Sequence, residues 1–220
     1  KDLVVSDYRS ILRKKKLFIQ APTGVGKTIA SVFPAVKAVG EGLANQIFYL
    51  TAKTITRTVA EDTIKLLKKQ GLFLSAVTIT AKEKICIQEE MQCNPESCER
   101  AKGHFDRINE ALYALLTAEC EISRENILLF AEKYKVCPYE LSFEAAVWAD
   151  CIICDYNYVF DPHVNRKSLI EGSLRQNIYL IDEAHNLLDR AREMYSADIA
   201  KSDFKVPKKY FKDRNRFLFK

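Results

Sequence analysis

The stretch Ala21-Pro22-Thr23-Gly24-Val25-Gly26-Lys27-Thr28 indicates the fold of this chain. It follows the phosphate-binding pattern of a small residue, four others and Gly-Lys-Thr, with alanine in the first place as a mild departure. Gly24 and Gly26 let backbone N–H groups turn towards phosphate oxygens, and the helix that follows adds its N-terminal dipole. We expect Lys27 to reach the β- and γ-phosphates and the Thr28 hydroxyl to hold Mg²⁺. The predicted nucleotide-binding residues are Ala21, Thr23, Gly24, Val25, Gly26, Lys27 and Thr28.

A second motif, Asp182-Glu183-Ala184-His185, follows the apolar segment 178–181. Because ligands of open α/β sheets bind beyond the carboxyl ends of the strands, the motif is expected at the nucleotide site. Asp182 is expected to hold Mg²⁺, Glu183 to orient and deprotonate the attacking water, and His185 to sense the γ-phosphate. Each motif has a simpler alternative: a glycine turn before an ordinary helix, or acids favoured at a helix N-terminus. The two motifs together favour an ATPase whose catalytic residues are Lys27, Asp182, Glu183 and His185.

Short apolar or β-branched runs predict a set of strands separated by helices. The runs at 151–154 and 178–181 are apolar enough to be buried on both faces, which suits a parallel sheet covered by helices. Helices are expected at about 28–38, ended by Gly40 and Gly42, and at about 55–69, ended by Gly71. The predicted strands are 17–20, 46–50, 74–80, 151–154 and 178–181. The predicted fold class is α/β, a P-loop parallel sheet flanked by helices.

Residues 82–143 do not continue this alternation, since a βαβ unit needs only about 30 residues. The region holds a cysteine-bearing loop followed by helical patterns, and it is interpreted as a mostly helical insertion. The predicted organisation is therefore a discontinuous α/β domain at 1–81 and 144–199 with an insertion at 82–143. Residues 200–220 are interpreted as the start of a further domain or a basic tail.

Five of the seven cysteines lie within the insertion, and four of them, Cys86, Cys93, Cys98 and Cys137, are the candidate metal ligands. Four thiolates can hold a [4Fe–4S] cluster or a zinc ion. Structural zinc sites usually pair cysteines two to four residues apart, so the wider spacing and the final Cys-Pro favour the cluster over zinc or unligated thiols. Cys120 falls in a helical pattern and Cys151 and Cys154 in a buried strand, so these three are interpreted as core residues.

The composition excludes few classes of protein. A chain of 220 residues can bury one good core, and a formal charge of +5 allows an anionic partner without requiring one. No apolar run approaches the ~20 residues that span a bilayer, and the start of the chain has no signal-peptide plan. We expect a cytoplasmic protein without a membrane partner, whose cysteines are metal ligands or buried thiols rather than disulfides.

Together the motifs resemble the iron–sulfur type of superfamily 2 DNA helicases, the XPD and DinG group, and most of all bacterial DinG-like proteins. The resemblance covers about residues 11–195 and keeps the family's order of motifs. The stretches that carry it are APTGVGKT at 21–28, YLTAKT at 49–54, the four cysteines, CDYNYVFDP at 154–162 and DEAH at 182–185. A DEAH box alone is shared with many RNA helicases, and the cysteine insertion makes the resemblance specific.

The resemblance implies a RecA-like helicase domain 1 and a monomeric motor that moves 5′ to 3′ along single-stranded DNA. Such a motor unwinds forked duplexes in repair or replication, with ATP, Mg²⁺ and a [4Fe–4S] cluster held by the four cysteines. Thr51, Lys53 and Thr54 match the segment that touches the DNA backbone, and helix capping is the alternative for the two threonines. Tyr156 and Tyr158 could stack bases or pack the insertion against the core.

Some motifs of the family are missing. There is no Ser-Ala-Thr motif after the DEAH box and no Gln-x-x-Gly-Arg segment to supply an arginine finger, which contributes about 10³–10⁵ in rate. We therefore expect the first motor domain of a longer helicase, which alone binds nucleotide weakly and turns over little. The alternative function is a redox-sensing nucleotide switch that binds DNA without unwinding it. A nuclease or scaffold subunit with a degenerate motor is disfavoured by the intact Lys27, Asp182 and Glu183.

Overall fold

A computed structural model describes residues 2–22, 24–118, 122–164 and 176–203. The predicted nucleotide ligand Thr23, the predicted core residue Cys120 and most of the tail, 204–220, lie outside these ranges. The helices are α1 (Asp2–Leu12), α2 (Lys27–Gly40), α3 (Thr54–Lys69), α4 (Lys82–Ile85), α5 (His104–Thr117), α6 (Arg124–Lys133), α7 (Pro138–Trp148), α8 (Asn157–Phe160) and α9 (Leu187–Met194). Within the described ranges, no helix is long and apolar enough to cross a membrane.

The strands form one parallel sheet, as the sequence predicts. They are β1 (Gln46–Leu50), β2 (Ala76–Thr78), β3 (Cys151–Cys154) and β4 (Asn177–Ile181). Their order is β2-β3-β1-β4, with Ile47 beside Cys151 and Gln46 beside Asn177. Every residue of β1 and β3 is buried, which fits central strands covered on both faces.

Helices cover both faces of the sheet. Because side chains alternate along a strand, Cys151 and Ile153 pack with α2 and α3, whereas Ile152 and Cys154 face the other side. That other side is covered by α5 and α6, which come from the predicted insertion, and by α7, which begins in it and runs past its predicted end at 143. The insertion thus supplies most of one of the two helical layers. Its bounds, 82–143, remain a prediction.

The buried amide of Gln46 ties the start of β1 to the end of α7. Its Nε2 donates to the carbonyl oxygens of Ala146, Val147 and Ala149 at 3.2, 3.2 and 2.8 Å. The last carbonyls of a helix lack partners within the helix, so this one side chain caps α7 against the sheet.

Two expectations about strands are wrong. Leu17–Gln20 has no regular structure, and Phe18 is 88% exposed. Within the described residues the sheet ends at β4, and this segment pairs with none of its strands. The same edge position explains why β4 is not buried on both faces, since Tyr179 is 40% exposed.

Candidate functional site

The predicted phosphate-binding loop has the left-handed glycines that the sequence predicts. Gly24 has φ +83° and Gly26 has φ +78°, a left-handed conformation that favours glycine. Gly26 immediately precedes α2, so the N–H groups of the first helical turn border the loop. The Lys27 ammonium donates to the Ala21 carbonyl at 3.3 Å and so lies across the loop. This arrangement is suited to bind a phosphate group.

Tyr49, in β1, brings the two predicted magnesium ligands together. Its hydroxyl donates to Asp182 Oδ2 at 3.0 Å, and the Thr28 side chain lies close enough to the same phenol group to lower its pKa. Tyr49 is almost fully buried, and burial followed by the Asp182 charge raises its pKa well above the usual value. Thr28 and Asp182 therefore lie within one bridging hydroxyl of each other, where a metal ion could bind both.

Glu183 and His185 lie in the turn that follows β4. Glu183 has φ +51°, which is uncommon for a residue with a side chain and directs the chain into the 3₁₀ turn Ala184–Asn186. Its backbone N–H donates to Asp182 Oδ1 at 3.0 Å, and Asn186 Nδ2 donates to its carbonyl at 3.1 Å. His185 Nδ1 lies 3.6 Å from Glu183 Oε2. The turn thus holds the three predicted catalytic side chains at the carboxyl end of β4.

Tyr156 supports the backbone of this turn. Its ring is fully buried, and its hydroxyl donates to the carbonyls of Asp182 and Glu183, the latter at 3.3 Å. Burial and then the Asp182 charge raise the pKa of Tyr156 to about 12. Tyr158 is also buried and packs edge-on against Phe143, with ring centroids 5.5 Å apart. Both tyrosines therefore take the packing role rather than the base-stacking role.

Sequence reasoning missed Tyr49 and Tyr156 as parts of the nucleotide site. Tyr49 belongs to the quoted YLTAKT stretch and Tyr156 to CDYNYVFDP, but neither was assigned to the acidic motif. The available signal is topological, because β1 lies between β3 and β4. Residues near the carboxyl ends of β1 and β3 are thereby placed at the edge from which Asp182 emerges.

The predicted DNA-contact segment divides into a buried and an exposed part. Thr51 is buried, its hydroxyl contacts the Thr56 hydroxyl, and it accepts the Lys53 N–H at 3.4 Å. These contacts brace the first turn of α3, so the structure favours the helix-end role for Thr51. Lys53 and Thr54 are exposed where α3 begins.

The predicted cluster cysteines are free thiols on the segments that flank the inserted helices. Cys86 follows α4, Cys137 immediately precedes α7, and Cys93 and Cys98 lie in the loop before α5. In the described ranges, no three or more His, Cys, Asp or Glu side chains are grouped closely enough to hold a metal ion. Cys151 and Cys154 are fully buried, which confirms them as core residues.

Lys82 and His104 connect parts of this cysteine set. The Lys82 ammonium hydrogen-bonds the Cys93 thiol and lies 5.3 Å above the Tyr139 ring centroid. Burial raises the pKa of Cys137, although the N–H groups of Glu140 and Tyr139 point at its sulfur and oppose that shift. His104 Nδ1 accepts the Cys137 N–H at 3.5 Å, and burial lowers the pKa of His104. Its ring therefore acts here as a neutral acceptor.

Known proteins share parts of this sequence. The DEAD_2 family model matches residues 51–204. The chain is similar to the "Fanconi anemia group J protein homolog" of Gallus gallus, with 38% identity over 78 residues, which are 36% of this chain and 6% of that protein. It is also similar to the "Regulator of telomere elongation helicase 1 homolog" of Anopheles gambiae, with 26% identity over 144 residues, 60% of this chain and 14% of that protein. The chain therefore spans a small part of the length of these relatives.

A likeness to solved structures supports the fold. The structure of "XPD_Helicase" superposes with a TM-score of 0.61 at 18% identity, covering 88% of this chain and 33% of that chain. Both sequence relatives come from animals, so closeness to bacterial DinG-like proteins stays a prediction. The DEAD_2 match runs from the end of β1, through the cysteine-bearing segment, to beyond the acidic motif. Because that match takes in more than half of the chain, the protein belongs to the DEAD_2 family.

Proposed function

We propose that this chain is the first motor domain of an ATP-dependent DNA helicase. The observation that carries the proposal is the meeting of Thr28 and Asp182 at the Tyr49 hydroxyl. It places the phosphate-loop motif and the acidic motif, which are far apart in the sequence, next to each other, as binding of one Mg²⁺–ATP by both requires. Relatives that include a "Regulator of telomere elongation helicase 1 homolog" support a helicase in particular.

The residues of the site divide the work of ATP hydrolysis. Lys27 neutralises the β- and γ-phosphates, and the loop glycines leave the backbone N–H groups open to their oxygens. Thr28 and Asp182 would hold Mg²⁺, which supplies positive charge to the phosphates. Glu183 orients and deprotonates the attacking water, and His185 beside it senses the state of the γ-phosphate. Full rate requires charge stabilisation from outside this domain, so residues 1–220 alone turn over little.

The cysteine set is proposed to hold a [4Fe–4S] cluster through Cys86, Cys93, Cys98 and Cys137. The donor set fits such a group: these cysteines are free, Lys82 places a positive charge at Cys93, and two backbone N–H groups point at Cys137. Positive charge and N–H donors stabilise thiolate sulfur. The cluster supplies folding energy to the loops that carry its ligands.

Anaerobic purification tests this assignment directly. The protein should contain about four iron atoms per chain and absorb near ~400 nm, as [4Fe–4S] proteins do. Equimolar zinc without iron in that sample would instead assign a zinc site.

Single-stranded DNA and forked duplexes are the proposed partners of a monomeric motor. Lys53 and Thr54 are exposed at the start of α3, where an ammonium group and a hydroxyl can meet DNA phosphates without reading sequence. Movement 5′ to 3′, a role in repair or replication, and a cytoplasmic, bacterial location belong to the same proposal and come from the resemblance of the motifs.

Unwinding by the whole protein tests the proposed activity. Duplexes with a 5′ tail and with a 3′ tail are compared in the presence of ATP and Mg²⁺. Preferential unwinding of the 5′-tailed duplex, together with ATP hydrolysis stimulated by single-stranded DNA, is the expected result. DNA affinity that changes with the redox state, without strand separation on either duplex, would support the redox switch instead.

A further inference from the structure

One arginine holds together the two loops that carry Cys98 and Cys137. Arg107, in the first turn of α5, donates from Nε to the Tyr134 carbonyl at 3.2 Å. Its Nη2 donates to the carbonyls of Lys102 and Lys135, both at 2.8 Å, and lies 3.5 Å from that of Glu99. All four acceptors are main-chain oxygens, two from each loop.

These carbonyls stand next to the cysteines in the chain. Glu99 follows Cys98 directly, and the Cys98 carbonyl accepts the N–H of Lys102 at 3.1 Å. Lys135 precedes Cys137 by two residues and has φ +53°, a left-handed conformation in the turn that follows α6. The planar guanidinium presents several N–H groups in one rigid fork, so a single side chain fixes the spacing of both turns.

Gly103 leaves the space that this guanidinium occupies. It has φ +66°, and a Cβ at this position would lie 2.8 Å from Arg107 Nη1, a distance that side-chain carbons do not tolerate. An alanine here would strain the left-handed backbone and force the Arg107 guanidinium to shift from its present position.

We propose that Arg107 is a positioning residue for the cysteine site. It fixes the separation of the Cys98 turn and the Cys137 turn before the metal group is bound, and Gly103 permits its placement. The inference rests on the proposed cluster. A ligand set held in place this way binds its metal group faster and releases it more slowly.

The test measures cluster loss from the whole protein, purified anaerobically, after addition of a ferrous chelator. Arg107→Met should lose its absorbance near ~400 nm about tenfold faster than the unmodified protein, the size typical of second-layer changes at metal sites. Arg107→Lys should fall between the two, because an ammonium can serve some of the carbonyls. Gly103→Ala should approach Arg107→Met, and Lys102→Met, which removes an exposed neighbouring charge, should match the unmodified protein.

Helix content of the cluster-free proteins, from circular dichroism, separates positioning from folding. The inference is upheld if Arg107→Lys or Gly103→Ala keeps its helix content and still loses the cluster faster. It is overturned if Arg107→Met and Gly103→Ala lose the cluster at the unmodified rate, or if every variant with faster loss also unfolds when cluster-free. An iron-free unmodified protein would instead overturn the cluster assignment, which keeps the two failures distinct.

Discussion

The nucleotide site and the cysteine site differ in how far the protein alone organises them. At the nucleotide site, Thr28 and Asp182 already share one hydroxyl, because strand order brings their segments to one edge of the sheet. At the cysteine site the thiols lie on loops and, in the part of the chain that is described, form no group able to hold a metal ion. A sheet can fix polar groups without a ligand, whereas loops rely on side-chain ties and on the metal itself.

Lys27→Ala should give the largest effect, and that effect should be confined to the nucleotide site. Loss of the charge on the phosphates should lower ATP hydrolysis by the whole protein about 10²–10³-fold, as for other groups that stabilise transition-state charge. DNA-stimulated phosphate release measures it. Lys37→Ala, which removes an exposed ion pair from the same helix, should stay within about twofold. A fall in iron content in Lys27→Ala would contradict the independence of the two sites.

Cys93→Ser should damage the cysteine site and leave the nucleotide site unchanged. Loss of one ligand should remove most of the iron and loosen the loop before α5, since metal binding supplies its folding energy. Iron analysis and the absorbance at ~400 nm measure the loss. Cys151→Ala is the control, because that thiol is buried in β3. Nucleotide affinity of Cys93→Ser should stay within about twofold. A large fall would show that the sheet does not organise its own site.

Tyr49→Phe should sharpen the description of the nucleotide site. Removing the bridging hydroxyl leaves Asp182 Oδ2 without its donor and should weaken Mg²⁺-dependent nucleotide binding about tenfold. Titration with a fluorescent nucleotide, with and without Mg²⁺, separates this effect from general damage. Tyr179→Phe, on the exposed side of β4, should match the unmodified protein. An equal loss of nucleotide affinity with and without Mg²⁺ would contradict the role of the Tyr49 hydroxyl in arranging the metal ligands.

Asp7→Asn should give the smallest effect, on stability alone. Asp7 lies buried in α1 with Oδ2 unpartnered, and burial raises its pKa to about 6. Because its folded-state pKa exceeds the unfolded value, its contribution to stability is present below about pH 4 and is lost as pH rises through about 6. At pH 7 the variant should therefore gain about 1 kcal/mol in unfolding free energy. Urea unfolding at pH 4 and pH 7 checks it, since an equal gain at both pH values would exclude the charge as the cause.

Local pattern was enough to predict the features that depend on local backbone and burial. The segments 46–50 and 151–154 form strands with the predicted bounds, and Gly24 and Gly26 have the left-handed backbone that a phosphate loop requires. In each case the signal and its cause lie within a few residues of each other.

Features that depend on distant partners were beyond the sequence. Leu17–Gln20 has the composition of a strand, but a strand also needs a neighbour for its backbone groups. Tyr49 and Arg107 look like an ordinary strand residue and an ordinary helical cation. Only the fold shows that one meets Asp182 and the other meets the carbonyls beside two cysteines.

Strand order also sets the sequence of events while the chain is being made. Of the four described strands, β1 and β2 emerge from the ribosome before the others, and they do not pair with each other because β3 lies between them. The pairing seen among the described strands therefore cannot begin until residues 151–154 have emerged, after Cys86, Cys93, Cys98 and Cys137. These four thiols therefore leave the ribosome before β1 and β2 have a partner, and the later pairing with β3 closes a long loop, a slow step in folding.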